Sequence, residues 1–169
     1  ISLGQESIPL MEAAGRILAH DIFSELDVPS YRRAMMDGFA LHAADTMGAT
    51  NYNPLSLTII GSVLPGQSFD GEVLRGQAVS IMTGAPIPNG ADAVLPAEKV
   101  SRDEDKLTVL DEVSPAKHVG RVGEDITAGT KVLPRGRCLR PQDLGVLSSI
   151  GTAVVPVARK PRVRLLITG

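Results

Sequence analysis

The sequence predicts an α+β fold that is strongly β-rich. Three observations carry this. In 169 residues, 43% are apolar and 21% charged, which is enough to bury a core in a globular chain. Seventeen glycines and 12 prolines make up about one residue in six, above the usual share of roughly 12%, so turns are frequent and long helices are not expected. The apolar runs are short and bounded by turn residues, the pattern of strands.

The elements follow in order. Ile8, Leu10, Met11, Ala13 and Ala14 ahead of Gly15 predict a short helix stopped by that glycine. Ile17 to Phe23 reads as a strand, and Val28-Pro29-Ser30-Tyr31 breaks it. Phe39 to Ala44 fits either a strand or a short helix, and periodicity does not decide between them. The texture changes at Leu55, where Leu57, Ile59 and Ile60 form a β-type run. Gly61, Gly66, Gly71 and Gly76 recur at a spacing of five, too short for a repeat architecture, and read as tight turns. Ala78 to Met82 and Asp92 to Val100 read as strands, and Val100 to Leu110 as a hairpin with the acidic tip Asp103-Glu104-Asp105.

A second change of texture comes near Ser114. Lys131-Val132-Leu133 and Arg137-Cys138-Leu139 flank Pro134-Arg135-Gly136 as strand, turn and strand, which makes Cys138 a core residue. Pro141 opens the clearest helix: proline suits the first helical position and Asp143 in the first turn suits the helix dipole. Leu144, Leu147 and Ile150 share one face, and Gly151 ends the helix. Ala153 to Val157 is a strand, Arg159 to Arg162 a basic linker, and Val163 to Ile167 a fully apolar strand of the kind buried in parallel sheets. No crossover helix follows it, so a domain is expected to begin near Pro161 and to be cut short.

Composition excludes several functions. With two Tyr, three Phe and no Trp there is no platform for stacking bases, and a net charge of −2 draws the chain neither to nucleic acid nor to membranes. One cysteine precludes an intrachain disulfide and a multi-cysteine zinc site. No apolar run approaches the ~20 residues of a membrane span, and the N-terminus lacks the features of a signal peptide. A cytoplasmic segment of a longer protein is expected. His20, His42 and His118 have no ligand spacing, and no phosphate-loop or nucleophile-elbow pattern occurs.

Three polar segments remain as candidates. In Met35-Met36-Asp37-Gly38-Phe39-Ala40 an acid stands beside a glycine that permits close backbone approach, although Asp-Gly is a common turn pair and spacing alone favours the turn. Thr83-Gly84-Ala85-Pro86-Ile87-Pro88-Asn89-Gly90 is a rigid loop at a strand end, suited to present the Thr83 hydroxyl or merely to connect strands. In Gly120-Arg121-Val122-Gly123-Glu124-Asp125-Ile126, adjacent carboxylates suit a Mg²⁺ or an arginine partner, or a solvated turn.

Taken in order, the chain resembles the N-terminal half of the MoeA family, the molybdopterin molybdenumtransferases, which includes the E domain of gephyrin. The resemblance rests on Gly15-Arg16-Ile17-Leu18-Ala19, Leu26-Asp27-Val28-Pro29, Met36-Asp37-Gly38-Phe39-Ala40, Ile81-Met82-Thr83-Gly84-Ala85-Pro86, Gly90-Ala91-Asp92-Ala93-Val94, Gly123-Glu124-Asp125-Ile126 and Pro161-Arg162-Val163. It implies insertion of molybdenum from molybdate into molybdopterin, with adenylylated molybdopterin as the second substrate and Mg²⁺ as the divalent cation. An elongated homodimer and a molybdopterin-adenylylating partner enzyme or domain are implied as well. In outline, residues 1–30 and 115–160 form a discontinuous dimerisation and linking domain, residues 31–114 an inserted small β domain lining the cleft, and residues 161–169 the first strand of a truncated, pterin-binding α/β domain.

The resemblance also assigns roles. Asp37 and Thr83 match catalytic cleft positions, Asp37 as the metal ligand and the Thr83 hydroxyl as a donor to an oxyanion. Gly84 and Asp125 match cofactor-binding positions. The chain departs from the family at Ser30-Tyr31-Arg32-Arg33-Ala34-Met35, where Arg32 brings a cation beside Asp37, either to favour an anion or to pair with the carboxylate. The alternative function is a gephyrin-like scaffold with no catalysis of its own.

Overall fold

A computed structural model describes residues 3–168. In chain order the strands are β1 (Gln5–Pro9), β2 (Ile22–Phe23), β3 (Arg33–Ala34), β4 (Gly38–Leu41), β5 (Leu55–Val63), β6 (Gln77–Ile81), β7 (Ala93–Pro96), β8 (Val100–Asp103), β9 (Lys106–Val109), β10 (Val119–Gly120), β11 (Lys131–Leu133) and β12 (Val154–Ala158). The helix α1 (Pro141–Ser149) lies between β11 and β12. The chain divides into two compact units: one contains the residues up to Val28 and those from Gly123 onward, the other Pro29–Val122.

The second unit is built on a six-stranded mixed sheet in the order β7-β4-β6-β5-β9-β8. All neighbours are antiparallel except β5 and β6, which run parallel. The central strands read as continuous apolar runs because both faces are covered. Phe39, Leu41, Leu57, Ile59, Leu95 and Leu107 pack on one face, and Ala40, Val63, Val79, Ile81 and Val94 on the other. A register shift between Ile59 and Gly61 moves β5 from serving the first face to serving the second. Gly38 admits the closest approach in the sheet: a Cβ there would stand 2.1 Å from the Leu95 carbonyl oxygen.

The first unit joins its two chain segments through backbone pairing. Gln5 to Pro9 pair antiparallel with Ala158 to Val154, and β2 pairs with β11. Leu10, Leu18, Leu133, Leu139, Leu147, Ile150, Val155 and Val157 form its core, with the predicted face of α1 turned into it. The Asp143 side chain is buried, and its two oxygens receive the Arg137 guanidinium at 2.7 and 2.9 Å. One of those oxygens also accepts the Arg140 N–H at 3.0 Å, which caps the helix start.

Several expectations are corrected. The helix expected before Gly15 is instead β1 followed by a single 3₁₀ turn, Leu10–Glu12. Pro9 lacks the N–H that a helix interior would use, and Gln5 to Pro9 alternate in burial. The segments around Pro134-Arg135-Gly136 do not pair with each other. Strand β11 pairs with β2, while Cys138 bridges Ile17 and is exposed, so it is no core residue. The boundary expected at 115 falls at Gly123 because Ala116 and Lys117 bond to Asp92 and Val94, and Val119 pairs in register with Ala34, all in the second unit. Residues 161–168 form no strand, and Val163, Leu165, Leu166 and Ile167 are exposed. An all-apolar strand needs neighbouring strands on its edges and cover on its faces, and none stands beside it among the described residues. The last residue of that segment, Gly169, lies outside the described residues.

Candidate functional site

Strand pairing brings two of the polar segments together. Asp37 immediately precedes β4, and Thr83 comes two residues after β6 ends. The strands are antiparallel neighbours with Gly38 opposite Ile81, so both residues emerge at the same end of the sheet. There the Thr83 amide and the Thr83 hydroxyl both donate to Asp37 Oδ1, each at 2.7 Å. The Asp37 carbonyl accepts the Ala97 N–H at 3.1 Å, which holds the residue from the β7 side.

The turn that carries Thr83 is tied to the run-up to Asp37. The Gly84 N–H donates to the Ala34 carbonyl at 2.8 Å, and the Ala34 N–H donates to the Ala85 carbonyl at 2.9 Å. Gly84 sits at φ +85° with open space where a Cβ would stand, so it serves the turn by conformation. The Tyr31 hydroxyl reaches the Gly84 carbonyl at 3.5 Å, a long contact.

The electrostatics are those of an exposed carboxylate that accepts two hydrogen bonds. The Thr83 amide, and then its hydroxyl, hold the Asp37 carboxyl below its usual value of 3.8. Among the described residues Asp37 makes no ion pair, and the Arg32 guanidinium points to the Ala91 carbonyl at 3.5 Å. Of the two alternatives for Arg32, pairing with Asp37 is therefore not the one found. The hydroxyl expectation also changes. The Thr83 proton is committed to Asp37, so the hydroxyl offers lone pairs to a ligand, not a hydrogen bond to an oxyanion.

Asp37 Oδ2 and the Thr83 oxygen thus form a small, oxygen-only, negatively charged face. No group of three or more His, Cys, Asp or Glu among the described residues is arranged to hold a metal ion. The site fits a Mg²⁺ of the kind held by one carboxylate together with the phosphates of a substrate, and does not fit an all-protein cage. Asp125 belongs to the other unit, where its amide donates to the Val28 carbonyl at 2.9 Å and Ile126 bridges Val28.

Ala34 had no signal in the sequence, because its role is carried by backbone atoms and a 1% exposed methyl group. The turn after Ser114, which supports the same strand, was equally silent: nothing in Pro115-Ala116-Lys117-His118 announces its backbone conformation.

Comparison with known proteins agrees with this architecture. The family model of the MoeA N-terminal region (domain I and II) matches residues 1–151. "Molybdopterin molybdenumtransferase 2" of Mycobacterium tuberculosis (strain H37Rv) is 37% identical over 166 residues, 96% of this chain and 40% of its own length. "Molybdopterin molybdenumtransferase" of Haemophilus influenzae is 39% identical over 165 residues, 97% of this chain and 40% of its own. The crystal structure of a molybdopterin biosynthesis moeA protein from Pyrococcus horikoshii OT3 superposes with a TM-score of 0.87 at 45% identity, covering 94% of this chain and 42% of that one. The chain spans about two-fifths of the length of the curated relatives it matches. With an ordered match over nearly its whole length and the same fold, the chain belongs to the MoeA N-terminal region family.

Proposed function

We propose that the chain is a working part of a molybdenum insertase, which transfers molybdenum from molybdate to adenylylated molybdopterin in molybdenum cofactor biosynthesis. The observation that carries this reading is the Asp37–Thr83 pair, two donors of one residue on one carboxylate oxygen, in a chain whose relatives bear that enzyme's name. In this reading Asp37 and Thr83 are the catalytic residues on this wall of the cleft. Asp37 and Thr83 would hold Mg²⁺, which would supply neutralisation of the phosphates of the adenylylated substrate. The Thr83 amide orients Asp37 and keeps it ionised, so the site presents a fixed anion without a proton to remove first.

Gly84 gives the substrate close access to the backbone of the Thr83 turn; Asp125, in the first unit, is read as a cofactor-binding residue on the family resemblance alone. The pterin itself is held by a domain that follows in the longer protein, so this region alone does not turn over. The working form is a cytoplasmic homodimer, with apolar residues of the first unit in its contact, fed by a molybdopterin-adenylylating partner.

The test is Asp37→Asn in the full-length protein. It is expected to keep fold and dimer, seen by circular dichroism and light scattering, and to lose most insertion of molybdenum. Near-normal turnover by that variant would return Asp37 to the role of a turn residue.

A further inference from the structure

Apart from Glu104 at the β8–β9 tip, the non-glycine residues at positive φ among the described residues are Ala116 (62°) and His118 (57°). A left-handed backbone crowds Cβ against the following carbonyl and is unfavourable for an L-residue. Two such residues within three positions persist only where their surroundings hold them.

The hydrogen bonds identify what holds them. The Ala116 N–H donates to the Asp92 carbonyl at 2.8 Å, and the Lys117 carbonyl accepts the Val94 N–H at 3.2 Å, so the segment begins along β7. The His118 carbonyl then accepts the Met35 N–H at 3.0 Å, and Val119 and Gly120 pair with Ala34 and Arg33. The two left-handed residues are the point at which the segment leaves one strand and takes up another.

Strand β3, which leads straight to Asp37, is therefore clasped on both sides. The turn that carries Thr83 holds Ala34 through Gly84 and Ala85, and the segment His118 to Gly120 holds the other edge. His118 makes the contact nearest to Asp37. Its imidazole takes no hydrogen bond among the described residues, so its backbone carries the contact.

We propose that His118 is a positioning residue for the Asp37–Thr83 pair: its left-handed backbone aims its carbonyl at the Met35 amide and fixes the register in which Asp37 Oδ1 receives both Thr83 donors. The inference rests on reading Asp37 and Thr83 as the site, and it adds that the site depends on a conformation six strands further along the chain than Asp37.

Amide hydrogen exchange in the whole chain tests it. The Thr83 amide reports the bond to Asp37, and the Ile59 amide, which donates to the Asp105 carbonyl at 2.7 Å, reports the other half of the same sheet. A β-branched residue is strongly disfavoured at positive φ, whereas Gly and Asn adopt it. His118→Val is expected to lower protection at Thr83 about five- to tenfold relative to Ile59. His118→Gly and His118→Asn are expected to leave that ratio within about twofold of the wild type.

Thr83 and Ile59 falling together in His118→Val would mean general destabilisation and would overturn the assignment. So would an unchanged Thr83, or an equal loss in His118→Gly. If the valine variant does not fold, His118→Ala carries the same comparison at a milder backbone cost. Normal insertion by full-length Asp37→Asn would sink the site reading and leave the His118 exchange result standing, so the two failures are distinguishable.

Discussion

Asp143→Asn removes one charge from the start of α1 and leaves the shape of the side chain. Asp143 is 3% exposed, and its carboxyl is held at about 2 against a usual 3.8, chiefly by the hydrogen bonds of Arg137, against the opposing cost of burial. At roughly 1.4 kcal/mol per pKa unit, that lowering corresponds to about 2 kcal/mol of stability at neutral pH. The figure lies below the ~3–5 kcal/mol typical of breaking a fully buried pair. The Arg137 side chain is 31% exposed, so it regains water when its partner is lost.

The sign follows from the lowered value. The contribution is complete above the unfolded value of about 3.8 and is lost as the pH falls through about 2. Urea unfolding followed by the methyl signals of Leu147 and Val155 reports this unit alone. With a urea dependence of ~1–3 kcal/mol per molar, the variant's midpoint should fall by about 1 M at pH 7. The gap between variant and wild type should close as the pH approaches 2, because the wild type loses what the variant never had. A gap under ~0.5 kcal/mol at pH 7, or one that does not change with pH, would refute the assignment of stability to this pair.

Three further outcomes are expected. Gly38→Ala places a Cβ 2.1 Å from the Leu95 carbonyl oxygen, so β4 and β7 must part; a loss of about 3 kcal/mol or more is expected in the unfolding of the second unit, read from the Leu41 and Leu95 methyl signals. Leu147→Ala empties a fully buried position under α1 and should cost about 2–5 kcal/mol in the first unit by urea titration, with the second unit's signals unmoved. Thr83→Val deletes the hydroxyl donor to Asp37 and keeps the amide, which is the larger cause of its lowered value. The Asp37 carboxyl should therefore rise and stay below 3.8 in a ¹³C titration, and a value unchanged from the wild type would contradict the hydroxyl's part.

Much of the fold was legible because strands and turns announce themselves locally. The runs at Leu57, at Ala78 to Ile81 and at Ala93 to Leu95 are strands, the Val100 to Leu110 hairpin forms around its acidic tip, and α1 starts at its proline. Partnership was not legible. Nothing within Lys131 to Leu139 reveals that both halves pair with residues more than 100 positions earlier. The parallel β5–β6 pair also looks, residue by residue, like any other pair of strands. The site divides in the same way. Asp37 and Thr83 were marked by Asp-Gly and by the Thr-Gly-Ala-Pro loop, and the resemblance joined them. The clasp around Ala34 and the left-handed turn at Ala116 and His118 consist of backbone geometry, which side-chain patterns do not encode.

The discontinuous make-up of the first unit sets an order on synthesis. Pro29–Val122 is one continuous stretch, so the second unit can finish folding as it leaves the ribosome. Strand β1 must wait for β12: Gln5 meets Ala158 and Pro9 meets Val154. At roughly 5–20 residues per second, the stretch between Pro9 and Val154 takes about 7–30 s to translate. Through that interval β1 is an unpaired edge, yet its sequence Gln-Glu-Ser-Ile-Pro carries a charge, one aliphatic side chain and a terminal proline. Those are the features that keep an edge strand from pairing with the wrong chain, so the segment that must wait is also one chemically suited to waiting.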